Sequence, residues 1–89
     1  IEVIQYSAEF VKDNEISLKS FRSYEVNTLY MSKASKLFAQ NKVEYIPTII
    51  LFNNGDEVFR VESGISLKLP ENTIQLIEEK IEEIIESKF

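Results

Sequence analysis

Neither cysteine nor histidine occurs among the 89 residues, so carboxylates, lysines, tyrosines and hydroxyls are what remains for chemistry. Without cysteine there is no disulfide, thiolate metal site or thiol nucleophile. Without histidine the usual general base near neutral pH and the commonest metal ligand are gone. The densest chemical group is the run Glu78, Glu79, Glu82, Glu83 and Glu86. It contains no loop of alternating carboxylates around a central glycine, as a calcium site would need. It reads as a solvated helix face, and neither a metal nor a cofactor is expected. Val11-Lys12-Asp13-Asn14, after Phe10, reads on its own residues as a capped loop without activity.

The formal net charge of −5 argues against binding nucleic acid, whose backbone is held by basic patches. No apolar stretch approaches the ~20 residues that cross a bilayer, and nothing resembles a secretory signal. The chain begins at Ile1 without a methionine, which reads as a fragment or processed product. Residues 1–89 are expected to form one small domain, with 44% apolar residues to build its core.

The elements that must position any site centre on Val43 to Gly64. Ile49 to Phe52 is a short apolar run of the kind buried on both faces of a sheet. Asn53-Asn54-Gly55-Asp56 follows, and Asn-Gly favours the type I′ hairpin turn, whose two central residues need positive φ. The return strand, Glu57 to Glu62, sets Val58 and Arg60 on one face and Phe59 and Val61 on the other. Pro47 stands before the first strand, where its missing N–H costs least.

Around this hairpin, Ile1 to Ser7 reads as a strand. Asp13 or Asn14 is placed to cap a short helix to about Ser23, with Ile16 and Phe21 inward. Tyr24 to Met31 reads as a second strand, with Val26 and Leu29 or Tyr30 as core candidates. Ser32 or Ser35 is placed to cap a helix covering Ala34, Leu37 and Phe38 and ending near Asn41. Gly64 to Leu69 is a connector. The last helix starts near Pro70 or Asn72, with Asn72 and Gln75 set for a capping box. Its apolar stripe is Ile74, Ile77, Ile81, Ile84 and Lys88, widened by Leu76 and Ile85. The order is β-α-β-α-β-β-α, an α/β fold with a mixed sheet between helices.

The run Val43-x-x-Ile46-Pro47-Thr48, then apolar residues to Phe52 and Asn54-Gly55-Asp56, resembles the thioredoxin superfamily, as does Gly64 after the next strand. Tyr6-Ser7-Ala8-Glu9-Phe10 is similar to the end of that family's central strand. The resemblance implies a thioredoxin fold and a cis Ile46-Pro47 bond facing the redox motif. That motif would fall at Val11, Lys12, Asp13 and Asn14, where no sulfur exists, and the interval to the next strand implies an abbreviated first helix. Dithiol-disulfide exchange needs a thiolate nucleophile and a resolving thiol, so composition excludes it.

What the resemblance leaves is a redox-inactive, cysteine-free module, not an enzyme, that binds a protein or extended peptide or serves as a scaffold. The implied groove comprises Phe10, Val11, Tyr45, Ile46, Pro47 and Thr48, with the backbone of Tyr45 and Ile46 open to pairing with an added strand. A purely structural domain, within a parent multidomain chain or a homodimer, is the alternative. A third reading is a glutathione-binding enzyme domain, since glutathione transferases share the fold and use a tyrosine after the first strand. Tyr6 would be that residue and Glu62-Ser63 the γ-glutamyl contact, but Glu62 lies further from Pro47 than that family places it. Absence of cysteine fits the cytoplasm, with the endoplasmic reticulum lumen as the other compartment.

Overall fold

A computed structural model of the chain describes residues 1–87. Four strands form one sheet in the order β2-β1-β3-β4, with β1 at Glu2–Ser7, β2 at Glu25–Tyr30, β3 at Thr48–Asn53 and β4 at Asp56–Glu62. β1 and β2 run parallel, with Val3 beside Val26 and Tyr6 beside Leu29. β3 is antiparallel to both its neighbours. Helix α1, Met31–Gln40, lies between β2 and β3, and helix α2, Thr73–Glu86, ends the described chain.

β3 is buried on both faces, and its alternation divides the core. Ile49 and Leu51 join Val3, Phe21, Val61 and the α2 residues Ile77 and Ile81 on one side. Ile50 and Phe52 join Tyr6, Val11, Ile46 and Phe38 of α1 on the other. The rings of Tyr6 and Phe38 meet edge to face, with centroids 5.1 Å apart. The Asn54-Gly55 turn has φ of 55° and 86°, the double positive φ that its sequence favours.

Several local expectations give way. No α-helix follows β1: the chain there forms 3-10 turns at Glu9–Asn14, broken at Val11, and at Lys19–Phe21. Ile16 and Phe21 do turn inward, as their spacing suggested. Val26, expected in the core, is exposed. It lies on the edge strand, on the sheet face shared with Val3, where the connection supplies only a three-residue turn instead of a covering helix. A register shift between Leu51 and Phe52 also moves Val58 off the face of Arg60 and onto the same core as Phe59.

Neither serine caps α1. β2 passes directly into the helix, with Tyr30 still extended and no side-chain cap. Ala34 interrupts the helix at φ −135°, so Phe38 reaches the core while Leu37 stays exposed. α2 does begin after Asn72, but the capping box does not form. Gln75 donates instead to Glu79 at 3.0 Å, and the hydroxyl of buried Thr73 donates to the carbonyl of Pro70. The stripe of α2 is as expected at Ile77 and Ile81; Lys88 lies outside the described residues.

Candidate functional site

β1 and β3 carry the chain to one end of the sheet, where β1 leads into the turn at Glu9–Asn14 and β3 is entered through Tyr45-Ile46-Pro47. The Ile46-Pro47 peptide bond is cis. The Thr48 hydroxyl, fully buried, donates to the carbonyl of Tyr45. The carbonyl of Pro47 accepts from the Ser63 N–H at 3.2 Å, tying the strand entry to the end of β4. Between these two fixed carbonyls, the N–H and C=O of Ile46 have no intramolecular partner among the described residues.

The groove residues do not all present side chains. Phe10 is 74% exposed and Tyr45 half-buried, whereas Val11 and Ile46 are 3% and 7% exposed and belong to one apolar cluster. Val11 and Ile46 therefore hold the two loops together from within, and the Val11 N–H is itself engaged by the carbonyl of Ala8 at 3.0 Å. At the degenerate redox-motif positions, Lys12 and Asp13 are exposed, while Asn14 donates from Nδ2 to the carbonyl of Leu67 at 2.8 Å. That bond brings in the stretch after β4, which the sequence marks only as a connector. Gly64 and Leu67 have φ of 68° and 59° there, and Ile65 is 91% exposed. Gly64 was the available signal for a turn at that point.

A second polar group holds the segment between β1 and β2, and periodicity gave no sign of it. Gln5 points from β1 into the interior and clamps Ile16 by two 3.0 Å bonds, its Nε2 donating to the carbonyl and its Oε1 accepting from the N–H. Buried Ser7 donates to Glu15 at 2.9 Å, and the Tyr30 hydroxyl donates to the same carboxylate at 3.2 Å. Bonding to the Glu15 carboxylate holds the Tyr30 phenol above its ordinary pKa, because it favours the protonated form.

Tyr6 is 1% exposed and its hydroxyl accepts from Asn41 Nδ2 at 3.2 Å. Burial, with smaller help from Glu2, raises its pKa, the opposite of what an activating tyrosinate needs. Glu62 is exposed and Ser63 buried, so the two do not present a joint contact. Among the described residues no group of three or more acidic side chains is arranged to hold a metal ion. No helix is long and apolar enough to cross a membrane, again among the described residues.

No protein-family model matches the sequence, and no curated protein does. Among solved structures, the chain is similar to thioredoxin 1 from the thermophilic eubacterium Thermosipho africanus TCF52B, with a TM-score of 0.68 over 92% of this chain and 96% of that one. At 16% sequence identity the likeness is one of fold. The architecture is thioredoxin-like, and it carries no cysteine.

Proposed function

We propose that the chain is a redox-inactive thioredoxin-fold module that binds an extended protein segment beside Phe10, Tyr45 and Ile46. One observation carries the reading: the N–H and C=O of Ile46 have no partner among the described residues, beside two neighbouring carbonyls that are already engaged. A donor and an acceptor on one residue at a strand entry form the minimal edge on which another chain adds as a strand. Phe10, with most of its ring in water, supplies the adjacent apolar contact. Without a thiol, binding there ends in release and not in exchange.

A backbone amide NMR titration with unfolded, cysteine-free peptides tests it. The expected result is a set of shifts confined to Val11, Tyr45, Ile46 and Thr48, weakened several-fold by Phe10→Ser without loss of thermal stability. Shifts with glutathione alone would move the reading to a glutathione site. No shifts with either would discard the groove and leave a structural domain.

A further inference from the structure

The two helices sit on opposite faces of the sheet and carry opposite charge. α1 holds Lys33 and Lys36 with no acidic residue, whereas α2 holds five glutamates against Lys80. Both charges stand at the wrong end of their helix. A helix N-terminus is partly positive and its C-terminus partly negative. Yet the first turn of α1 contains Lys33 and no acid, and the last turn of α2 contains Glu83 and Glu86 and no base. Lys33, Lys36, Glu78 and Glu82 form no salt bridge among the described residues. Glu78 and Glu82, one turn apart, repel each other.

The acidic half of α2 also borders a groove of about 250 Å³. Phe21 and Ile81 close its floor, Tyr24 and half-exposed Ile85 line it, and Glu78 and Glu82 stand along its rim. The groove lies where the short turn at Lys19–Phe21 replaces a helix. On α1, Leu37 is 42% exposed and shares the outer surface with Lys33 and Lys36. That outer surface offers one apolar side chain and two cations to a groove with an apolar floor and an acidic rim.

We propose that α1 of one copy docks antiparallel in the α2 groove of a second copy, Lys33 against Glu82, Lys36 against Glu78 and Leu37 toward the floor at Phe21 and Ile81. An antiparallel approach sets the positive N-terminal turn of α1 beside the negative C-terminal turn of α2, so charges and helix dipoles agree. The contact joins two different surfaces of one chain, so it is heterologous and can propagate head to tail. It uses none of the groove at Ile46 and stands independently of peptide binding.

Sedimentation velocity over a concentration series tests it. In ~0.01 M salt, where the Debye length is about 30 Å, the chain should associate reversibly, and in ~1 M salt, where it is about 3 Å, it should be monomeric. Lys33→Glu with Lys36→Glu, and separately Glu78→Lys with Glu82→Lys, should each weaken association by at least ~10-fold while circular dichroism stays that of the parent. All four positions are exposed, so the fold is not at stake. An equimolar mixture of the two double variants should associate again, because each keeps the surface the other needs. A chain monomeric at low salt, a double variant that still associates like the parent, or a mixture that stays monomeric would each overturn the proposal.

Discussion

β3 and the segment between β1 and β2 serve the same core by opposite means. β3 is paired on both sides by backbone and apolar on both faces. The segment from Ala8 to Tyr24 has no ladder, and only short 3-10 turns interrupt it. Side chains attach it to the sheet, Gln5 to the backbone of Ile16 and Ser7 and Tyr30 to Glu15, and Asn14 ties it to Leu67 in the stretch after β4. One region is held by periodic, repeated interactions and the other by a few specific ones. Loss of a member should therefore act differently in the two. A packed strand loses stability as a whole, whereas a tethered segment loses its own order first.

The largest effect belongs to β3. Ile50→Ala should lower stability by about 3–4 kcal/mol in urea unfolding, since Ile50 is fully buried and its neighbours on a paired strand cannot collapse into the space. Gln5→Ala comes next, at about 2 kcal/mol, because it strands the N–H and C=O of Ile16. Its signature is local, and hydrogen exchange should show the amide of Ile16 losing protection while those of β3 keep most of theirs. Equal loss in both regions would break the contrast and make the segment part of the cooperative core.

A smaller effect sharpens the hairpin side. Arg60 makes two bonds to Glu57 and reaches the Asn41 carbonyl at 2.7 Å, joining the end of α1 to β4. The hydrogen bonds from Arg60 hold the Glu57 carboxyl below its ordinary value of 4.5. A lowered folded pKa means the contribution is complete above 4.5 and is lost as the pH falls through the lower, folded value. Because the pair is solvent-exposed, its contribution should stay below ~1 kcal/mol. Glu57→Gln should flatten that acid limb of the stability curve and leave neutral stability nearly unchanged. Smallest of all, Val26→Thr should shift stability by no more than ~0.5 kcal/mol, because the side chain is already in water on an edge strand.

The same contrast decides what was legible in the sequence. The run Ile49 to Phe52 and the Asn54-Gly55 turn carry their conformations in residue type alone, and the structure bears both out. The stripe at Ile77 and Ile81 is likewise a matter of spacing. The segment after β1 was not readable in this way. Asp13 and Asn14 look like helix caps, but capping preference is local, and the competing bonds come from Gln5, eleven residues from Ile16, and Leu67, fifty-three residues from Asn14. Val58 failed for a related reason: a bulge is fixed by the pairing of two strands and leaves no mark on one. At the candidate site, the residue types of Val11 and Ile46 told of an apolar neighbourhood without telling that it faces inward.

The Gln5 clamp also sets how this domain can be re-engineered. Seventeen residues separate β1 from β2, and the clamp fastens Ile16 at their midpoint, leaving arcs of eight residues on either side. Loop-closure entropy grows only as the logarithm of length, about 0.6 kcal/mol for each doubling. Each arc is thus a separate graft site, with its own pair of fixed ends. A sequence inserted into residues 17–24 leaves Ala8 to Glu15 in register, and one inserted into 8–15 leaves the docking of Phe21 alone. The connection behaves as two short loops, one anchored in the core by Val11 and the other by Phe21, that meet at the residue Gln5 fixes.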